Sequence, residues 1–347
     1  DLRDIKDKNE IKEYVKNLED RAPYGEYELF KEAEVELPQY FPSDKGIFKV
    51  SGDYIKDVWV KALMNINKFG HIKKTQYGDK QKEIICLVSL IRSEDPDNPQ
   101  FSEDFEFSRE ELEKYIPQVT TKKAIDGLDY TYGQKLMDHE GIDQIAHIIE
   151  DIKEENYTRR AYTTTWNVKK DYNNPKAPCL TSIQVLVEDD NLHMTCYVRS
   201  HDVYGAWPQN CFALRKLQKM ISEETNLNMG NLIVISNSAH YYERSFKKVA
   251  DLIEKNQNKI MWDSDPCGSI LVYVKDSKIV IEHIDTNGKK LDSFNATNAI
   301  DAYTKIAQEL KISQISHALD IGCELQKAEI AIKTNTEYIQ DKPLDLS

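Results

Sequence analysis

The stretch that decides the fold reads NNPKAPCLTSIQVLV over residues 173–187 and continues as YVRSHDVYGAWPQN over residues 197–210. A second predicted strand ends in Arg199 and Ser200, and a first one begins just after Cys179. Apolar residues alternate along this first strand, as is typical of a half-buried β-strand: Ile183, Val185 and Val187. The two strands predict that a thiol and a guanidinium group meet at strand ends.

Hydrophobic patterns on either side of this stretch predict both helices and strands. Gly70 ends one helical pattern as a C-terminal cap would, and Ser108 with Glu111 forms a capping box at the start of another. Tyr132 and Trp166 lie in strand-like runs, where aromatic side chains are often core residues. The predicted helices cover 58–69, 108–116, 141–154, 208–224 and 240–257, and the predicted strands cover 83–91, 161–168 and 232–236.

A change of composition near residues 261–267 marks the start of a second unit. Residues 268–285 predict a β-hairpin with a short Asp-Ser-Lys turn, and helical patterns follow over 297–310 and 313–333. Two strands and two helices make a small α/β domain near the lower size limit for independent stability. The predicted division is an N-terminal extension over 1–50 with a helical pattern at 11–18, a main domain over 51–260 and a C-terminal domain over 261–347.

The composition of the 347 residues excludes several classes of protein. The 40% hydrophobic and 30% charged residues are typical of a soluble globular chain, and no apolar run reaches the ~20 residues of a membrane span. A net charge of -13 argues against nucleic acid or an anionic membrane as a partner. The six cysteines are scattered without a CxxC pair or a histidine cluster, which argues against disulfide and metal sites. No secretory segment opens the chain, which begins at Asp1 as a trimmed chain or fragment would, and we expect a cytoplasmic protein.

Cys179 by itself gives weak support for a nucleophile, because a free cysteine is more often a small buried apolar residue. Its sequence neighbours occur in a specific order and at specific intervals: Arg159, Arg160, Trp166, Asn167, Pro178, Gln184, Arg199, Ser200, Asp202, Pro208, Asn210, His240 and Tyr242. In order and spacing this set resembles the thymidylate synthase superfamily, without a gap from Arg159 to Tyr242. Tyr132-Gly133 and the IDQI motif at 142–145 are similar to further family elements, and the divergence elsewhere is more typical of archaeal-type members.

The resemblance implies a nucleophilic thiol beside a phosphate-binding site. Cys179 would add to C6 of a pyrimidine nucleotide, and Arg199 would favour the thiolate by lowering the pKa of the thiol. Because guanidinium groups match phosphate oxygens, Arg199, Ser200, Arg159 and Arg160 would hold the 5′-phosphate. In this family the paired arginines come from the other subunit, which implies a homodimer with arginines donated across the interface.

The resemblance also implies how the base, sugar and co-substrate are bound. An asparagine amide offers a donor and an acceptor to the O4 and N3–H edge of uracil, so Asn210 would favour dUMP. Cytosine-directed relatives carry an aspartate at this place. The other implied contacts are the deoxyribose 3′-hydroxyl for His240 and Tyr242, the nucleotide for Gln184, the pterin ring of the carbon donor for Asp202, and the neighbourhood of C5 for Tyr132.

The implied fold is α+β, a thymidylate synthase-like mixed sheet with flanking helices and a small C-terminal α/β domain. The implied methyltransferase passes a one-carbon unit from 5,10-methylenetetrahydrofolate or methylenetetrahydromethanopterin to C5 of dUMP, giving dTMP through a Cys179 adduct and without a metal. Two alternatives stay open: a pyrimidine nucleotide 5-hydroxymethylase and a non-catalytic nucleotide-binding protein. The segments 316–332 and 337–344 resemble a small domain that follows archaeal synthase-like proteins and occurs in a tetrahydromethanopterin methyltransferase subunit.

Three departures from the family pattern concern proton transfer and the phosphate loop. Leu180 stands where a histidine commonly follows the nucleophile. The early arginine-threonine-glycine phosphate loop has no match, and KKTQYG at 73–78 is the nearest candidate. The family's proton-organising glutamate also has no match, and four candidate substitutes occur in the chain: Glu83, Glu110, Glu111 and Glu113.

Overall fold

A computed structural model describes Lys12 and residues 42–76, 78–256 and 264–345. Apart from Lys12, the described residues divide into two compact units, 42–256 and 264–345. The helical pattern predicted at 11–18 lies outside the described residues, except for Lys12. No helix in the described ranges is long and apolar enough to cross a membrane.

A mixed sheet forms the centre of the described residues 42–256. Its strands are β1 (Phe48–Gly52), β2 (His71–Lys74), β3 (Lys80–Ile91), β4 (Tyr162–Thr164), β5 (Leu180–Glu188), β6 (Asn191–Asp202) and β7 (Asn228–Tyr242). They follow the order β1-β3-β7-β6-β5-β4, and β2 pairs with β3 outside this path. The pairs β1–β3 and β6–β7 are parallel, and the other pairs are antiparallel.

Helices flank this sheet, which confirms the predicted fold class. They are α1 (Ile55–Phe69), α2 (Arg109–Tyr115), α3 (Pro117–Thr120), α4 (Tyr132–Met137), α5 (Gln144–Glu154), α6 (Val168–Asp171), α7 (Trp207–Thr225) and α8 (Phe246–Asn256). Helix α7 packs on β6 and β7, and α1 packs on β1 and β3. The strand residues beneath them are fully buried, as Met194 and Val234 are. Burial of this apolar face is the main source of stability of the sheet. The packed sheet in turn holds the strand ends in place.

The predicted helix over 240–257 is wrong in its first third, because β7 continues as a strand through Tyr242. His240 pairs with Glu83 on β3 and with Asp202 on β6, and Tyr242 pairs with Gln81. Ladder hydrogen bonds to two neighbouring strands outweigh the local helical pattern here. Helix α8 therefore begins only at Phe246, and His240 and Tyr242 lie at the end of a central strand.

The strand-like interpretation of the runs around Tyr132 and Trp166 is also wrong. Tyr132 begins helix α4, which Thr131 and Gln134 open with a capping box. The strand predicted over 161–168 is only Tyr162–Thr164, because Asn167 accepts hydrogen bonds from the next backbone amides and starts α6. The capping box predicted at Ser108 is confirmed at the start of α2.

The second unit, described over 264–345, contains a three-stranded antiparallel sheet of β8 (Ser269–Lys275), β9 (Lys278–Ile284) and β10 (Lys290–Ala296), in the order β10-β9-β8. The predicted hairpin is confirmed, and Asp276 and Ser277 adopt the positive φ angles that a tight hairpin turn requires. The third strand was not predicted, because its sequence KLDSFNA is largely polar and exposed. Two helices follow the sheet in the described part of this unit, α9 (Ala299–Gln308) and α10 (Ile315–Thr334).

Candidate active site

One cavity of about 460 Å³ at the ends of β5, β6 and β7 brings together eight of the predicted site residues: Tyr132, Cys179, Arg199, Ser200, Asp202, Asn210, His240 and Tyr242. Cys179 immediately precedes β5, and Arg199 and Ser200 lie near the end of β6. The antiparallel pairing of β5 with β6 makes these positions neighbours. A cavity of this size is in the range of small-molecule sites.

Arg199 is held against the backbone that leads to Cys179. Its Nε donates to the Pro178 carbonyl at 2.9 Å, and its Nη2 donates to the Ala177 carbonyl at 2.7 Å. The backbone N–H of Arg199 donates to the Cys179 carbonyl at 2.9 Å. The guanidinium group also lies over the Trp166 ring, 5.9 Å from its centroid. The arginine is therefore fixed beside the thiol, while the rest of its fork is left for an anion.

The thiol of Cys179 is half-buried, and burial raises its pKa above the ordinary value. The charge of Arg199 acts in the opposite direction, as the sequence predicts, but it offsets only part of the effect of burial. The Tyr132 hydroxyl accepts a hydrogen bond from the Leu180 backbone N–H at 3.4 Å. Burial raises the pKa of Tyr132 to about 12, so this hydroxyl stays protonated. The Cys179 thiol therefore shares its surroundings with the cation of Arg199 and the neutral hydroxyl of Tyr132.

Asn210 belongs to a chain of side chains that extends into the core. Its Oδ1 accepts a short hydrogen bond from the Tyr115 hydroxyl, and its Nδ2 lies 2.9 Å from Nε2 of His201. The other ring nitrogen of His201 lies 2.9 Å from the Ser236 hydroxyl. Burial lowers the pKa of His201 to about 3, so the ring is neutral. Both polar atoms of the Asn210 amide thus have a protein partner on the core side.

His240, Tyr242 and Asp202 form another wall of the cavity. The rings of His240 and Tyr242 meet edge to face at 5.1 Å, and Nδ1 of His240 donates to the Ser238 carbonyl at 3.0 Å. The Asp202 carboxylate accepts from the Gly205 N–H at 3.2 Å, and burial raises its pKa. These contacts leave Nε2 of His240 as the ring nitrogen available to a ligand.

Three predicted residues do not line this cavity. Arg159 and Arg160 are exposed, and neither guanidinium forms an ion pair with a residue that the structure describes. Gln184 donates from its side-chain amide to the Arg159 carbonyl at 3.1 Å. Gln184 therefore contacts the segment that carries the two arginines. Neither arginine lines the cavity that contains Cys179 of the same chain.

The end of β2 and the loop that follows it line the cavity with Lys74, Thr75 and Gln76. These residues belong to the KKTQYG segment that the sequence offered as the nearest phosphate loop. Tyr115 and His201 also line the cavity, and no sequence signal indicated either of them. Each becomes visible only through its contact with Asn210.

The four candidate glutamates differ in position. Glu110, Glu111 and Glu113 lie on the exposed face of α2, where the Glu111 carboxylate accepts from the backbone N–H of the N-cap residue Ser108 at 2.7 Å. Glu83 is partly buried on β3 and accepts hydrogen bonds from Ser238 at 2.7 Å and Gln81 at 2.6 Å. None of the four lines the cavity among the described residues. Leu180, in place of the usual histidine, is a buried core residue.

In the second unit, His317 contacts the Asp265 carboxylate at 3.0 Å, and two backbone N–H groups of residues 313 and 314 donate to the same carboxylate. These bonds lower the pKa of Asp265 and close the turn before α10. An acidic group of Asp320, Glu324 and Asp341 also occurs in this unit. Glu324 already accepts from Lys327 and Tyr338. We assign no metal to either group.

Comparison with known proteins gives two family matches. The thymidylate synthase family model matches residues 95–301, and a model described as PterinBD-DUF4346 matches residues 264–341. A protein of Methanococcoides burtonii named "Putative thymidylate synthase" is 33% identical over 201 residues, covering 58% of this chain and 92% of its own length. A protein of the same name from Methanothermobacter marburgensis is 30% identical over 220 residues, covering 60% of this chain and 98% of its own. The thymidylate synthase of Mycoplasma genitalium is 30% identical over 153 residues, covering 43% of this chain and 53% of its own.

The family match spans more than half of the chain and includes every site residue that the sequence predicted, from Tyr132 to Tyr242. The second match agrees with the predicted resemblance of the C-terminal domain. Together the two matches support an enzyme that uses a pterin or folate co-substrate. The chain therefore belongs to the thymidylate synthase family.

Proposed function

We propose that this protein is a thymidylate synthase that transfers a one-carbon unit from a methylene-pterin to C5 of dUMP, with dTMP as product. The observation that carries the proposal is the cavity that contains Cys179, Arg199 and Asn210 together. A nucleophile, an anion-binding group and a base-reading amide are what this chemistry requires of the protein. Their common location supports the roles that the family resemblance implies.

The nucleotide phosphate is proposed to bind beside Arg199 and Ser200. Two of the Arg199 donors are used by the Pro178 and Ala177 carbonyls, and its remaining N–H groups are free to hold phosphate oxygens. Lys74 lines the same cavity and adds a second positive charge. At the other end of the nucleotide, His240 and Tyr242 are proposed to hold the 3′-hydroxyl.

The chemical steps follow from the positions of these groups. The Cys179 thiol loses its proton, and the thiolate adds to C6 of the uracil while the electron pair of the C5–C6 double bond moves toward O4. Arg199 favours the thiolate, and a donor from Asn210 stabilises the charge that develops on O4. C5 then bonds to the methylene carbon as one of the two C–N bonds that hold this carbon in the co-substrate breaks. Loss of the C5 proton expels the pterin nitrogen at the other C–N bond and leaves an exocyclic methylene on C5. The thiolate leaves C6 once a hydride or water has added to this methylene.

Reductive methylation requires that the pterin also supplies a hydride to the exocyclic methylene, which oxidises the pterin to its dihydro form. If water captures the methylene instead, the product is the 5-hydroxymethyl nucleotide and no hydride is transferred. The described cavity lining contains no glutamate, which is the observation that keeps hydroxymethylation and a non-catalytic nucleotide-binding role as alternatives. We propose that Asp202 contacts the pterin. Activity assays with a folate donor and with a methanopterin donor decide which pterin the protein uses.

A homodimer is proposed because one face of the sheet lacks a cover within the described chain. Apolar and aromatic side chains on that face are partly exposed, with Tyr162 at 54%, Leu186 at 42% and Tyr197 at 36%. The exposed Arg159 and Arg160 come just before β4, which is an edge strand of the sheet. A second copy packed on this face would bury the apolar residues and bring the two arginines to the partner's cavity.

Mixed dimers test the donated arginines. Cys179→Ser and the double variant Arg159→Ala, Arg160→Ala are each expected to be inactive as homodimers. Co-expressed with different tags and purified through both, their heterodimer should have about half of the wild-type activity, because one of its two sites has an intact thiol and intact arginines. An inactive heterodimer would show that each subunit uses its own arginines.

Trapping with 5-fluoro-dUMP tests the reaction. In the presence of a methylene-pterin, mass spectrometry should find a covalent adduct on the peptide that contains Cys179, and Cys179→Ser should form none. Tritium release from C5-labelled dUMP, followed by identification of the product, separates methylation from hydroxymethylation. The absence of an adduct with both folate and methanopterin donors would favour the non-catalytic alternative.

The cytoplasmic location, the absence of nucleic-acid and membrane partners, and the domain boundaries 1–50, 51–260 and 261–347 remain predictions from the sequence. Strand β1 begins at Phe48 and pairs with β3 in the main sheet. Limited proteolysis with mass spectrometry of the fragments would locate the boundaries.

A further inference from the structure

The Asn210 amide is held by two residues that the family motif does not include. Tyr115, at the end of α2, is 95 residues away in sequence, and its hydroxyl donates to Oδ1 of Asn210. His201, on β6, lies with Nε2 at 2.9 Å from Nδ2 of Asn210. Both residues also line the cavity. The amide therefore has one neighbour for each of its two polar atoms.

In this structure the two contacts go with one orientation of the amide. An amide nitrogen only donates, so Nε2 of His201 accepts, and the proton of the neutral ring is on Nδ1. The Nδ1–H group donates to the hydroxyl oxygen of Ser236 at 2.9 Å, and Ser236 is buried. A reversed amide would require the Tyr115 hydroxyl to accept, the His201 ring proton to move from Nδ1 to Nε2, and the Ser236 hydroxyl to donate. The hydrogen bonds from Tyr115 through Asn210 and His201 to Ser236 thus all run in one direction.

The direction matters because uracil and cytosine differ by exchange of a donor and an acceptor. Uracil presents an acceptor at O4 and a donor at N3–H, whereas cytosine presents a donor at its 4-amino group and an acceptor at N3. After its core-side bonds, Asn210 retains one N–H on Nδ2 and one lone pair on Oδ1. A rotation of the amide by half a turn would exchange these two atoms and would suit cytosine instead.

We infer that His201 and Tyr115 are positioning residues that hold the Asn210 amide in the orientation for uracil and thereby set the base specificity of the site. The inference rests on the proposed function, since it assigns a specificity device to the proposed nucleotide site. The burial of His201 supports it, because a neutral ring with one proton can accept at Nε2 at all physiological pH values. Leu180 next to the nucleophile cannot supply this polar contact, because its side chain has no donor or acceptor.

The experiment compares equilibrium binding of dUMP, dCMP and deoxyribose 5-phosphate by calorimetry. Tyr115→Phe removes only the donor to Oδ1, and the double variant His201→Leu, Ser236→Ala removes the other half of the chain without leaving a buried hydroxyl unpaired. The wild type should prefer dUMP. Each variant should reduce the ratio of dUMP to dCMP affinity by about fivefold, since one orienting hydrogen bond is worth about 1 kcal/mol.

Binding of deoxyribose 5-phosphate should stay unchanged in both variants, because it uses the phosphate and sugar contacts alone. A merely structural defect would weaken all three ligands together. Tyr130→Phe is the matched control, since Tyr130 is also a half-buried tyrosine near the site but does not line the cavity. It should keep the wild-type ratio.

The outcomes separate this inference from the proposed function. If the wild type prefers dUMP and both variants keep its full preference, the positioning role is wrong and the proposed nucleotide site stands. A wild type that prefers dCMP would show the opposite amide orientation and would overturn the inference. If the wild type binds neither nucleotide nor deoxyribose 5-phosphate, the proposed function fails, and the inference fails with it.

Discussion

Replacement of Arg199 by methionine removes the positive charge beside Cys179 and keeps a long unbranched side chain. Two hydrogen bonds are lost, from Nε to the Pro178 carbonyl at 2.9 Å and from Nη2 to the Ala177 carbonyl at 2.7 Å. Both carbonyls belong to buried residues. A bond with a charged partner contributes about 1.5 to 3 kcal/mol, and Arg199 is only half-buried, so the lower value applies to each. We expect the free energy of unfolding to fall by about 3 kcal/mol.

The same substitution should change the reactivity of the thiol. Burial already raises the pKa of Cys179, and the Arg199 charge opposes this shift, so loss of the charge raises the pKa further. Each unit of pKa lowers the thiolate fraction at pH 8 about tenfold. Alkylation by iodoacetamide, followed by mass spectrometry of each cysteine peptide over a range of pH, measures this pKa. Exposed Cys323 provides the internal reference.

Two further variants separate charge from anchoring. Arg199→Lys keeps the charge but offers a single ammonium group to two carbonyls, so it should recover more of the thiol pKa than of the stability. Lys49→Met removes an exposed positive charge on β1, at the opposite edge of the sheet from β4, and should change neither quantity. If Arg199→Met unfolds at the same denaturant concentration as the wild type and has an unchanged alkylation profile, the assigned role of this arginine is wrong.

Three other predictions concern the fold and the site. Burial lowers the pKa of His201 from 6.5 to about 3, so below pH 6.5 the unfolded chain takes up a proton that the folded chain does not. The free energy of unfolding should therefore fall by about 3 kcal/mol between pH 6.5 and pH 4 because of this residue. Denaturation of His201→Gln should show a smaller pH dependence than denaturation of the wild type. Asn210→Asp should shift the preference from dUMP toward dCMP in binding assays, because a carboxylate accepts from the 4-amino group and repels O4. Gly70→Ala should lower the free energy of unfolding by about 1 to 3 kcal/mol, because the added Cβ would lie 2.3 Å from the Ile66 carbonyl oxygen. Gly322→Ala is the control and should not destabilise the protein, because its Cβ would have no neighbouring atom within 4 Å. Equal melting temperatures of the two variants would contradict this prediction.

Local features of the chain were predictable from the sequence because they depend on residues close together. The capping box at Ser108 and Glu111 and the tight turn at Asp276 and Ser277 are examples, since their hydrogen bonds and backbone angles involve neighbouring residues. The meeting of Cys179 and Arg199 was predictable for a similar reason. The two residues flank a single antiparallel pair of strands.

The sequence alone thus determined the fold class, the family and eight of the residues that line the cavity. Tertiary structure decided the rest. His240 and Tyr242 lie on a strand rather than a helix because β3, more than 150 residues away, pairs with them. Tyr115, His201 and Asn210 form one chain of hydrogen bonds only because α2, β6 and α7 pack together. A contact between side chains so far apart in sequence has no local signal, because it is created by the packing of the elements that carry them.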